Sequence, residues 1–128
     1  MNIFYLDSDP ASCASMHCDK HVVKMMIEYA QLMSTAHRVL DDDYVLDSSI
    51  YRVSHKNHPA SKWVRSSNRH YEWLYELWGA LSDEYTKRYG KVHASWSKLR
   101  YLLKSIPYNI SYDHAWSCLL YTSDAADE

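Results

Sequence analysis

Residues 17–28 read HCDKHVVKMMIE, which sets two histidines, an aspartate, two lysines and a glutamate among apolar residues. On a helix, His21, Lys24, Glu28, Gln31 and Thr35 fall along one line. A carboxylate so placed can move a proton or steady a cation that develops in a reaction. Burial and a neighbouring lysine pull the protonation of such a carboxylate in opposite directions. The same line also describes the solvent face of an ordinary amphipathic helix, with Lys24 and Glu28 as an i, i+4 ion pair. Chemistry is favoured by the breadth of the apolar surface on either side, which leaves a narrow polar strip of the kind that lines a cleft.

Two other constellations compete for attention. His17, Cys18 and His21, joined by His55 and His58 of HKNH, offer two histidine pairs to a metal. There is no CxxC, however, and His58 before Pro59 reads more simply as a helix entry, so no metal and no cofactor is assigned. Lys62, Arg65, Arg69, Lys87, Arg88, Lys91, Lys98 and Arg100 are interleaved with Trp63, Tyr71, Trp73 and Tyr89, a mixture that suits a phosphate backbone and an unstacked base. Glu72, Glu76, Asp83 and Glu84 dilute that charge. With only Gly79 and Gly90 available a glycine-rich phosphate loop is excluded, and no GxSxG elbow is present.

The elements that would carry these residues are helical. Asp9-Pro10 predicts a short helix to His17, with Asp as cap and Pro in the first turn. From Asp19 to about Leu40, Val22, Met26, Tyr29, Met33, Ala36 and Leu40 recur at helical spacing. Val23, Ile27 and Ala30 are expected to widen that stripe, making this the central helix. An acidic loop over 40–49 and a His-rich lead to Pro59 precede a short helix through ASKWVRSS. Ser66 or Ser67 caps a long helix whose inner stripe is Tyr71, Leu74, Leu77 or Trp78, Leu81 and Tyr85, with Gly90 as its stop. A last helix over 93–105 closes at Pro107, and NIFYL at 2–6 is an edge strand or extended lead-in. The expectation is a mainly α, compact single domain of four to five helices, with at most one short N-terminal strand.

The chain ends in CLLYTSDAADE, 118–128, which reads as the translation of a sequencing-library adapter. It is set aside as non-native, leaving 1–117 as one helical domain that is expected to be C-terminally truncated. Without its three acids the net charge moves from −2 to +1, well short of a dedicated nucleic-acid binder. No apolar run approaches the ~20 residues of a membrane span, and MNIFYLDSDP lacks the form of a signal peptide. Cys13 and Cys18 suit reduced thiols, and the expected location is the cytoplasm.

MNIFYLDSDP, CDKHVVKMMIEYAQLMSTAHRVL, HKNHPASKWVRSS and YEWLYELWGALSDEYTKRYGKVH resemble a family of small proteins common in tailed phages and environmental sequence. The likeness covers nearly all of 1–117 and implies a host-cell cytoplasm. A second resemblance is to phage pyrimidine-dimer DNA glycosylases, small all-α enzymes with Asp-Gln-His, six residues, then a catalytic glutamate. Here Asp19-Lys20-His21 is followed after six residues by Glu28. The stretch from His58 to Lys91 is similar to that group's His-rich segment and aromatic, acidic helix. The resemblance implies Glu28 as catalytic carboxylate and His21 as an active-site or DNA contact. Lys20, Lys24 and Arg65 would be phosphate contacts, and DNA the partner. Arg69, Arg88 and Lys91 extend that basic surface. In that family the amine of a small second residue acts as nucleophile once Met is removed. Met1-Asn2 departs from this pattern, so what carries over is Glu28-assisted hydrolysis rather than Schiff-base chemistry. Two rival readings are a metal-dependent nucleotide hydrolase using Glu28 with other acids, and a non-enzymatic helical module that binds a protein.

Overall fold

The computed structural model describes residues 2–42 and 49–117. Met1, most of the expected acidic loop and the segment 118–128 lie outside the described residues. Five helices form: α1 Pro10–Ser15, α2 Asp19–Asp41, α3 Pro59–Arg65, α4 Asn68–Tyr89 and α5 Ala94–Lys104. Among the described residues there is no strand, and 2–6 are an extended lead-in fixed by side chains.

Every helix but α2, whose Cys18 start makes no side-chain cap, begins where its sequence supplies an acceptor for orphan backbone N–H groups. The Asp9 carboxylate accepts from Ser12 N at 2.9 Å, and Ser67 caps α4 through Arg69 N. His58 and His93 act alike, each accepting through Nδ1 from the N–H two residues on, at 3.0 and 3.1 Å. Gly90, at φ 73°, closes α4 in the left-handed region that only glycine adopts without cost.

α4 packs against all four other helices, and α2 packs against α3, α4 and α5. Val22, Met26, Tyr29, Met33 and Ala36 are buried as the spacing predicts, and so are Tyr71, Leu74, Leu77, Trp78, Leu81 and Tyr85 of α4. Trp78 is wholly buried and donates its Nε1–H to the Met26 carbonyl at 2.8 Å. The widening of the α2 stripe is different from expectation. Ala30 is buried as expected, but Val23 and Ile27 are 41 % and 40 % exposed, and Met25 and Leu32 are buried instead. The core lies on the other side of the stripe, where the N-terminal segment meets Tyr29 through the Phe4 N–H.

After α5 the chain runs back across the helix ends. Asp41 accepts from the N–H groups of Tyr108 and Asn109 at 2.8 and 2.9 Å. Asn68 takes the His114 N–H, and Ser117 is gripped by His70 Nε2 and Trp63 Nε1 at 2.9 and 3.0 Å.

Candidate active site

Glu28 lies on α2 where the buried surface gives way to solvent, its side chain 15 % exposed. Lys24 Nζ is 3.6 Å from Glu28 Oε2 and is itself mostly exposed. On the Glu28 side of the helix, His21 is half-buried under Phe4, the rings stacked at 4.2 Å and 18°. Towards the C-terminal end, Thr35 is buried and exchanges hydrogen bonds with the backbone of Ser54. The polar line read from the sequence is therefore divided. Its far end is covered by the loop before α3, and its near end, His21–Lys24–Glu28, borders solvent.

A buried hydrogen-bond relay holds the N-terminal segment beside this strip. His17 Nδ1 donates to the Cys13 carbonyl at 2.8 Å, which leaves Nε2 as acceptor in the neutral ring. Tyr29 O–H donates to that Nε2 at 2.8 Å, and its oxygen accepts the Phe4 N–H at 3.1 Å. Burial lowers the His17 pKa, more than the Cys13 hydrogen bond raises it, so the neutral form the relay needs is the stable one. Cys13, pushed up by burial, donates its thiol to the Phe4 carbonyl at 3.0 Å. Tyr5 stacks on Trp73 at 5.0 Å, and Trp73 Nε1 donates to Ser8 O at 2.8 Å.

The same contacts bear on the metal question. Both nitrogens of His17 are committed inside the protein, His58 caps α3, and His55 Nδ1 bonds Ser54 Oγ at 2.8 Å. The two histidine pairs do not converge, and no group of three or more His, Cys, Asp or Glu among the described residues could hold a metal ion. Cys13 and Cys18 are free thiols.

The six cations take three kinds of place. Lys20, Lys24, Arg69 and Lys91 are exposed. Arg65 is half-buried with Nη1 on Ser61 Oγ at 3.0 Å, and burial lowers its pKa. Arg88 is a structural clamp. All five of its N–H groups are used, on Glu84, Asp19 and the carbonyls of Ser15 and His17. It ties the end of α4 to the turn between α1 and α2, and its fork has no donor left for DNA.

Sequence reasoning missed Phe4 and Tyr29 as parts of the site. Tyr29 was grouped with the apolar stripe, and only its need for a buried hydroxyl partner could have singled it out. It also missed a cleft of about 710 Å³ between the N-terminal segment and α4, whose lining includes Tyr5, Arg69, Trp73, Glu76, Lys104 and Trp116. Trp116 packs there against Trp63, His70 and Trp73. Glu28 is not in that lining, so this cleft and the carboxylate strip are separate features.

The family model for pyrimidine dimer DNA glycosylase matches residues 1–98, a span that includes the relay, Glu28 and every cation above. No curated protein and no solved structure matches the chain. The match covers well over half of the sequence, and the chain belongs to the pyrimidine dimer DNA glycosylase family.

Proposed function

From that membership we propose that the chain excises ultraviolet-damaged pyrimidines from duplex DNA, with Glu28 as the carboxylate at the reacting sugar. The observation that carries the reading is the position of Glu28. It is part-buried on the solvent edge of the central helix, one residue from a relay that fixes the N-terminal segment. In this reaction the bond between C1′ and the pyrimidine nitrogen breaks and its electron pair leaves with the base. The sugar becomes cationic, and a carboxylate within reach stabilises that charge. Water then adds to C1′, and Glu28 accepts its proton. The products are the released base, still covalently tied to its dimer partner, and an abasic sugar.

His21, held flat by Phe4, is a contact to the DNA at the same edge. Lys20 and Lys24 on α2, with Arg65, Arg69 and Lys91 beyond, are the phosphate contacts, and the setting is a phage-infected host cell. Among the described residues no helix is long and apolar enough to cross a membrane. The reading is tested by incubating the protein with irradiated and undamaged duplex in EDTA, then cleaving abasic sites with alkali. Damage-dependent strand scission is expected in EDTA. Equal scission of both duplexes, or scission that needs added metal, would count against it.

A further inference from the structure

The proposed chemistry makes no use of two exposed side chains on the same turns of α2 as Glu28. Val23 and Ile27 are one turn apart on the same side of α2, 41 % and 40 % exposed. Lys20 and Lys24 lie beside them on the adjoining strip, and Glu28 is on its far border. A single exposed aliphatic is ordinary. Here two β-branched residues occupy exposed helix positions where lysine, glutamate or alanine would favour the helix more. The opposite side of the same helix is wholly buried. Further along, Ser34 and Thr35 are covered, so the open surface is confined to the turns around Glu28. Ser95 Oγ donates to the Met26 carbonyl at 3.3 Å, which sets the start of α5, just after Lys91, against this part of α2. The result is an apolar ridge with a cationic border.

We propose that Val23 and Ile27 form a wedge that enters the duplex at the damaged step. Charge complementarity names the occupant: unstacked bases offer apolar faces to the ridge while their phosphates lie within reach of Lys20 and Lys24. Burying the ridge against a base offsets part of the cost of unstacking, as apolar wedges do in proteins that kink DNA. The proposal rests on the glycosylase reading and adds how the base pair is opened for Glu28.

The test uses a duplex with one pyrimidine dimer and 2-aminopurine in the facing strand, whose fluorescence rises on unstacking. Wild type and Glu28→Gln should both raise it. The double variant Val23→Ala/Ile27→Ala should lose most of that rise and bind the duplex roughly tenfold more weakly, the scale of a lost wedge contact. It should cleave a dimer held in an unpaired bubble within about twofold of wild type, because there no stacking remains to be broken. Ile27→Leu, which keeps the apolar bulk, should behave as wild type and guards against a folding effect, as does a thermal melt of each variant. A double variant that opens the duplex normally, or one impaired equally on duplex and bubble, overturns the wedge. So does a wild-type dimer that the double variant dissociates, which would make the ridge a contact between copies. Opening without cleavage by wild type would keep the wedge and remove the glycosylase reading. Cleavage with normal opening by the double variant would do the reverse.

Discussion

Replacing Tyr29 with Phe removes one oxygen from the interior and should be costly out of proportion to its size. The ring stays, so little apolar contact is lost, but two buried groups lose their partner. His17 Nε2 gives up a donor 2.8 Å away, and the Phe4 N–H gives up its acceptor at 3.1 Å. Tyr29 is 0 % and His17 2 % exposed, so water does not readily replace the hydroxyl. A buried polar group left unsatisfied costs about 1–3 kcal/mol, and two such groups therefore cost about 2–6 kcal/mol. In a chain of this length about 1 kcal/mol moves the melting temperature by roughly 4 °C. Tyr29→Phe should thus melt about 8–24 °C lower on that scale and show a lower midpoint in urea with an unchanged slope. Cleavage should suffer as well, because the segment that holds His21 in place is loosened. A variant within about 0.5 kcal/mol of wild type would refute the relay as an anchor.

Arg88, two lysines and the histidines give further expectations. Arg88→Lys should destabilise by about 1–3 kcal/mol, since an ammonium cannot reproduce a five-donor fork, and urea unfolding would show it. The same variant should leave the salt dependence of DNA binding unchanged. Lys20→Ala and Lys24→Ala, by contrast, should each reduce the slope of log K against log salt by about 1. Equal effects of all three on the slope would contradict the division between clamp and contact. Burial lowers the pKa of His17, His37, His58, His70 and His93 in the fold. Below the unfolded value of about 6.5 the unfolded chain therefore binds more protons. Stability should be complete above that pH and decline as pH falls through the lower folded values, in urea titrations from pH 7.5 to 5. Stability that is flat or rises in that window would be contrary to the neutral histidines described here.

Much of this fold could be read from local sequence rules because its helices start and stop on local chemistry. Asp9-Pro10, Ser67 and Gly90 are cap and stop residues whose effect does not depend on distant contacts, and α4 runs over Asn68–Tyr89 as the sequence predicts. The inner stripe of α4 was equally legible, because it has one clear face. α2 was harder. It is covered on several sides, and periodicity alone could not say which neighbours of the stripe are buried, so Val23 and Ile27 were placed inside and Met25 and Leu32 passed over. Glu28 was found by its spacing from His21 and its place on the polar line. Its surroundings were not, because Phe4 reaches His21 and Tyr29 only through the tertiary fold. Arg88 shows the same limit from the other direction. Its partners at Ser15, His17 and Asp19 are some seventy residues away, and a cation in the last turn of a helix looks the same whether it is free or fully bonded.

The role of Glu28 is the claim on which the rest depends. Its direct test is a single-turnover comparison of wild type and Glu28→Gln on a duplex with one pyrimidine dimer, in EDTA, with binding and melting temperature measured on the same samples. The substitution keeps the shape of the side chain and removes its charge, and an i, i+4 ion pair with a mostly exposed lysine such as Lys24 is worth about 0.5 kcal/mol. The account predicts base release reduced by two or more orders of magnitude, on the scale expected for general acid–base and charge stabilisation, with binding and melting nearly unchanged. Base release at the wild-type rate by a folded, DNA-bound Glu28→Gln would contradict it.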